Sequence, residues 1–401
     1  MISTPSRISR RAVLGGAAAL AASTALPVRA QAPPIKLGTL TPLTGAGGSY
    51  GPSMRKAMAW VVEQVNGAGG VLGRRVELVS EDDQTNPDAG VRAARKLIDV
   101  DKVVAVMGTW ASSVTTAVAP LCWESKTFLT TVSGADSITQ LPHQGYLVRT
   151  QPNTHLQVSK LSTFVLQLGA KRVFILSAQT PFAEPTHKLL SEWLPKGGAQ
   201  VVGQVIYDKD KTTFRSEIDQ ALRATPDMIY LNGYTPDLTV LMKDLFKAGY
   251  MGQRIAQGYA ANAKLLSSLP TDVTDGIYAI SPSPAIDSAT YKRLAKALGV
   301  EEVDPYSAQC HDHASLVCLA IARAREATGT AIKDTIRKIS QGPGTKVDSA
   351  VDGLKLLSQN KEINYEGASG PCDFTESGDI LDTKFRYEQA EKGKLKLLKI
   401  A

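Results

Sequence analysis

At 401 residues the chain is long enough for two domains rather than one. Its hydrophobic share of 43% and charged share of 21% are ordinary for a soluble globular protein. The formal charge of +7 drops to +3 once Arg7, Arg10, Arg11 and Arg29 of the first thirty residues are removed, too little and too evenly spread to argue for nucleic acid or an anionic membrane surface.

Those first residues read as an export leader. Ser9-Arg10-Arg11-Ala12-Val13-Leu14 matches a twin-arginine signal, and the apolar stretch Gly15 to Leu26 follows it. Val28-Arg29-Ala30 offers small residues where a signal peptidase reads, so cleavage is expected after Ala30, leaving 1–30 as the signal peptide. No later run approaches the ~20 apolar residues of a membrane span, and the mature protein is expected in the periplasm. There the four cysteines, Cys122, Cys310, Cys318 and Cys372, could be oxidised. Cys310 and Cys318 fall on one predicted helix about 12 Å apart, beyond disulfide reach. Two arrangements stay open: Cys372 paired with Cys318 or Cys310, or four buried free thiols.

In chain order, Ile35 to Leu40 is the first strand, and the Gly-rich Thr44 to Gly51 leads into a helix from Pro52. Val76 to Val79 is a strand, and Asn86-Pro87-Asp88 opens a helix through Ile98. The apolar run Val103 to Met107 is a strand buried on both faces, punctuated by Gly108. Ser112-Ser113 then starts a helix, where hydroxyls can cap free N–H groups and the positive end of the helix favours an anion. Phe128 to Thr131 is a fourth strand, and Leu147 to Asn153 reads as a connection. Beyond it the rhythm restarts: helix Leu156–Leu168, strand Arg172–Leu176, helix Glu184–Leu194, strand Gln200–Tyr207, helix Phe214–Arg223, strand Met228–Leu231, helix Asp237–Ala248. Tyr278 to Pro284 is an extended, Pro-interrupted crossing, followed by helices Ser288–Leu298, Tyr306–Thr328 and Ala331–Ser340. A third crossing is expected near Phe385-Arg386-Tyr387, before a short tail. The expected fold class is α/β, two Rossmann-like lobes joined by three hinge crossovers, with 33–150 plus 281–385 as one lobe and 151–280 plus 386–401 as the other.

Catalytic patterns are sparse. Gly47-Gly48-Ser49-Tyr50-Gly51 satisfies G-x-S-x-G, but a serine hydrolase needs a later acid and then a histidine, and none of the five histidines follows His313. Ser53-Met54-Arg55-Lys56 has no Lys-Thr-Gly companion. His311 and His313 stand about 200° apart on a helix and cannot share a metal, so one is expected in the core or cleft and the other on the surface. No dinucleotide fingerprint or Walker loop appears, and no cofactor or metal is expected. Polar and aromatic residues instead gather at strand ends: Tyr50, Trp110, Ser112, Ser113, Gly134, Ala135 and Asp136 in the first half, Phe182, Tyr234 and Tyr259 in the second. That pattern suits a small-molecule cleft between lobes.

Gly38 to Gly45, Asn66-Gly67-Ala68-Gly69-Gly70-Val71-Leu72-Gly73, Asp82 to Pro87, Gly108 to Thr115, Gly233-Tyr234 and Gly370 to Asp379 together resemble the extracytoplasmic solute-binding proteins of ABC importers, in the branched-chain (leucine/isoleucine/valine) amino acid-binding group. The resemblance implies a type I periplasmic binding fold, a monomer without catalysis, and delivery of a small ligand to a membrane permease. It implies that Ser112-Ser113 hold a ligand carboxylate, that Gly134-Ala135-Asp136 add contacts, and that Tyr50, Phe182 and Tyr234 flank the ligand. Amino acid binders place an acid where this chain has Gly258-Tyr259, and Trp110 resembles the amide- and urea-binding branch. The alternatives are therefore an aromatic-acid or amide binder of the same family and, from other classes, a ligand-sensing regulator or a serine hydrolase.

Overall fold

The computed structural model describes Met1 and residues 32–401, so the expected leader and its cleavage site at Ala30 lie outside the described residues. Residues 1–34 and 35–401 are separate units, and the fold is that of the second.

The first half alternates strand and helix: β1 (Ile35–Thr41), α1 (Gly51–Gly67), β2 (Val76–Asp82), α2 (Pro87–Arg95), β3 (Ala105–Gly108), α3 (Ser112–Glu124), β4 (Phe128–Thr131), α4 (Ser137–Gln140) and β5 (Leu147–Arg149). Its five strands form one parallel sheet in the order β2-β1-β3-β4-β5. Local chemistry sets the boundaries. Asn86 caps α2 by accepting from the Asp88 and Ala89 N–H groups. Gly108 ends β3 at φ +117°, where an added Cβ would lie 2.8 Å from the Leu40 carbonyl oxygen.

The chain then enters a second lobe through α5 (Thr154–Gln167), β6 (Arg172–Ala178), α6 (Thr186–Trp193), β7 (Gln200–Tyr207), α7 (Arg215–Arg223), β8 (Met228–Asn232), α8 (Thr235–Lys247), β9 (Gln253–Gln257), α9 (Ala263–Ser268), α10 (Thr271–Thr274) and β10 (Tyr278–Pro282). It returns to the first lobe for α11 (Ala289–Leu298), α12 (Pro305–Ala324), α13 (Gly329–Ser340), β11 (Thr345–Val347), α14 (Ala350–Ser358), β12 (Ile363–Gly367) and β13 (Gly370–Pro371). It finishes in the second as the hairpin β14 (Phe385–Glu391) and β15 (Lys394–Ile400). The second sheet runs β15-β14-β10-β9-β8-β6-β7, parallel except for the antiparallel pairs that β14 makes with β10 and β15. The chain thus passes between the two sheets three times, at 150–153, 283–288 and 381–384.

Four expectations need correction. Leu147–Arg149 is not a connection: its three residues pair with β4 and complete the first sheet. Three residues are too few for hydrophobic alternation to show. Ser281, Pro282 and Phe385 belong to the second sheet, so the crossings begin and end a few residues from 281 and 385. The end of the chain is a paired strand rather than a tail. Finally, His311 and His313 are both buried, because α12 is enclosed by α1, α13 and α14. The Asp312 carboxylate accepts from Tyr365, Ser369 and the Ala368 N–H and meets His311 Nδ1, while His313 Nε2 meets Thr150 Oγ1 at 2.8 Å. All four cysteines are free and buried. A thiol reagent is expected to modify none of them in the folded protein and all four after denaturation, with no reductant needed; a reductant requirement would contradict this arrangement.

The first crossing is clamped by three successive side chains. The Arg149 guanidinium, fully buried, meets Asp379 at 2.5 Å, donates to the Ala135 carbonyl at 2.6 Å and to Thr139 at 3.0 Å. Thr150 holds His313, and Gln151 accepts from Gln309 at 2.9 Å. Replacing Arg149 by Met leaves the Asp379 carboxylate and the Ala135 carbonyl without their donor. This is expected to cost about 3 kcal/mol, read as a lower denaturation midpoint at unchanged m-value.

Candidate functional site

Trp110, Ser112 and Tyr306 come from the first lobe, and Thr180, Phe182, Tyr234 and Tyr259 from loops just beyond strands β6, β8 and β9 of the second. Together with Ala111, Val132, Gly134, Gln151 and Gln157 they enclose a cavity of about 40 Å³ between the lobes. Its position, beyond the carboxyl ends of both parallel sheets, is where open α/β sheets present loops to ligands. One wall is aromatic: the Trp110 ring lies 5.6 to 5.8 Å from those of Tyr50, Tyr234, Tyr259 and Tyr306. Because Tyr234 and Tyr259 belong to the other lobe, these contacts span the interface. The Tyr50 hydroxyl adds to them, donating to the Tyr259 carbonyl at 3.1 Å and accepting from Asn262 at 2.9 Å.

The opposite pole is polar. Ser112 does not cap its own helix, since Ala111 occupies the N-cap with no side-chain bond. Its Oγ accepts instead from the Ala135 N–H at 3.2 Å, joining the start of α3 to the loop after β4. The hydroxyl proton and the first N–H groups of α3 are left for a ligand acceptor. Arg149 holds the far side of the same loop through the Ala135 carbonyl.

Of the expected site residues, Trp110, Ser112, Gly134, Phe182, Tyr234 and Tyr259 line the cavity. Ser113 is half-buried beside it and does not line it. Ala135 contributes its backbone to Ser112 and Arg149. Asp136 is turned away, accepting from the His155 N–H at 3.1 Å. Tyr50 stands behind Trp110 and faces a separate hinge-side hollow with Asp304 and Glu388. Ser49 is exposed in the turn before α1, without a histidine partner among the described residues. The sequence reading missed Gln151, Gln157, Thr180 and Tyr306. Gln157 lies on a helix whose buried face carries no distinguishing pattern, and Tyr306 is brought in by α12, some 200 residues from Trp110.

No Asp, Glu, Lys, Arg or His lines the cavity among the described residues. Burial pushes the hydroxyls of Tyr234, Tyr259 and Tyr306 upward, so all three are neutral near pH 7. Two buried acids stand further back. Asp237 accepts from Tyr207 at 2.7 Å and from the Tyr234 N–H at 2.9 Å, and burial raises it to about 6. Asp83 is fully buried with Oδ2 unpartnered, and burial raises it from 3.8 to about 7.

Gly134 is held between Gln157 and Phe182: a Cβ there would lie 2.7 Å from Gln157 Nε2 and 2.9 Å from the Phe182 ring. Gly134→Ala is expected to push both inward and weaken ligand binding at least tenfold, read by calorimetry. For Asp83, the unfolded chain gives up its proton near 3.8, whereas the folded protein holds it to about 7. The folded state therefore binds more protons across that window, and its contribution to stability falls as pH rises. Asp83→Asn is expected to lose less stability than the parent between about pH 4 and about pH 7; equal losses in denaturant titrations would refute the assignment.

Comparison with known proteins agrees with this architecture. A family model described as periplasmic binding protein matches residues 34–379. The Leu/Ile/Val-binding protein BraC3 of Rhizobium johnstonii is 25% identical over 90% of this chain and 93% of its own. The leucine binding protein LivK of Thermotoga maritima superposes with a TM-score of 0.78, at 22% identity, over 91% of this chain and 98% of its own. A solute-binding protein of an ABC transporter from R. palustris, solved with 4-hydroxybenzoate, superposes with a TM-score of 0.74 at 21% identity, over 92% and 96%.

Proposed function

The chain belongs to the periplasmic binding protein family, and from that premise we propose that it is the extracytoplasmic solute-binding component of an ABC importer. In this reading it takes a small, carboxylate-bearing, amino acid-like solute into the interlobe cavity and presents it to a membrane permease. The observation that carries the reading is a cavity walled from both lobes whose polar pole is the Ser112 hydroxyl and the unpaired start of α3. A ligand that touches both walls stabilises the closed arrangement by its differential affinity, so binding and closure are one equilibrium.

The hydrolase alternative gains no support, because Ser49 has no histidine partner among the described residues. An aromatic-acid ligand draws support from the Trp110 and tyrosine wall, although the cavity as it stands is small, about 40 Å³.

A thermal-shift screen of small amino, hydroxy and aromatic acids and amides identifies the ligand, since a molecule bound only by the folded state raises the melting temperature. With that ligand, Ser112→Ala is expected to weaken binding by about 1.5–3 kcal/mol, the cost of losing a hydrogen bond to a charged group. Ser113→Ala is expected to leave it nearly unchanged. Solution scattering should report compaction on binding. Equal affinity of the Ser112 variant and the parent would remove the carboxylate role.

A further inference from the structure

We propose that Gln157 is a specificity-determining residue of the cavity, an uncharged acceptor that selects a solute whose donor group is itself uncharged, a hydroxyl or amide rather than an ammonium. The inference rests on the carboxylate reading of Ser112 and deepens it.

Gln157 is 1% exposed and lines the cavity from α5. Its Nε2 donates to the Pro152 carbonyl at 2.7 Å. A carbonyl oxygen can only accept, so the amide orientation is fixed by chemistry, and Oε1 is the atom left over. Oε1 has no hydrogen-bond partner among the described residues. Gln157 lines the cavity, so a donor on a bound molecule can meet that oxygen.

The position of this acceptor relative to the carboxylate pole also matters. Gln157 packs against Gly134, and Ser112 bonds to the N–H of Ala135, the next residue. The Gln157 amide, through its Nε2 edge, and Ser112 therefore meet the same turn, and a solute with its carboxylate at Ser112 lies on the side of the cavity that Gln157 lines.

An ammonium there would be poorly matched. No acidic side chain lines the cavity, and one of its walls is aromatic. Moving an ammonium from water to one neutral carbonyl in such a place leaves its charge largely uncompensated. A hydroxyl or amide N–H loses far less hydration and satisfies the same acceptor. Gln151, 3% exposed, adds a second amide whose Oε1 is taken by Gln309 and whose Nε2 has no protein partner among the described residues, so it can serve a further acceptor on the solute.

Four solutes of similar size, each with one carboxylate, separate the possibilities: lactate, oxamate, alanine and propionate, titrated calorimetrically into the purified mature protein. Lactate or oxamate is expected to bind at least tenfold more tightly than alanine and propionate, and which of the two leads distinguishes a hydroxyl from an amide donor. In Gln157→Ala that advantage over propionate is expected to disappear while propionate affinity itself changes little. Alanine binding as tightly as lactate and oxamate overturns the proposal, as does an advantage that survives Gln157→Ala, or no binding of any of the four. Because the comparison in the unaltered protein needs no variant, a folding defect in Gln157→Ala does not obscure the result. Ser112→Ala separates this outcome from failure of the underlying reading. A uniform loss across all four solutes upholds the carboxylate pole whatever their ranking, whereas unchanged affinities remove the pole and leave the ranking to be decided by Gln157 alone.

Discussion

The buried guanidinium of Arg149 is the constraint on which the cavity depends. It sits at the last residue of the edge strand of the first sheet, where the chain leaves for the second lobe. From there it grips the Ala135 carbonyl, Thr139 and the Asp379 carboxylate. Burial lowers its affinity for a proton and Asp379 opposes that loss. A guanidinium so enclosed is tolerable because its donors are met in a fixed fork geometry. The consequence is that the 133–139 loop cannot drift, and Ala135 presents its N–H to Ser112 at one defined place. The same residue joins that loop to the 370s and to the first crossing, so the polar end of the cavity and the passage between the sheets share a single anchor.

The two walls of the cavity answer different physical demands. The aromatic wall is made by Trp110 and three tyrosines drawn from both lobes, Tyr234, Tyr259 and Tyr306, and it buries apolar area only when the lobes meet. The polar wall is built from neutral groups, and the buried acids Asp83 and Asp237, both raised by burial, stand near Tyr234 rather than in the cavity. A closed site of this type avoids the cost of dehydrating an ion on the protein side. It leaves discrimination to hydrogen-bond direction, which rejects a wrong partner sharply when the buried groups would otherwise be unpaired.

Sharing a fold with leucine and hydroxybenzoate binders does not fix what is bound, since the scaffold sets where the strand ends converge and the loops set the chemistry. Tyr259 illustrates the point. It stands where the family resemblance leads one to expect an acid, and its ring packs edge-on against Trp110. The interlobe position is thus used for packing rather than for charge.

Much of this was legible in the chain itself. The alternation of short β-branched runs with amphipathic stretches dictated parallel sheets and two lobes, because each pattern can bury its apolar face in only one kind of element. The strand ends gave Trp110, Ser112, Gly134, Phe182, Tyr234 and Tyr259, since ligands in such folds meet loops at those positions. Sequence could not separate Ser112 from Ser113, nor reveal that Asp136 turns toward the His155 N–H, because a one-residue step on a helix or turn changes direction without changing composition. It could not find Gln157, Gln151 or Tyr306 either. Their roles come from contacts between segments distant in the chain, and only the closing of α5 and α12 against the strand ends decides which atoms are left without a partner.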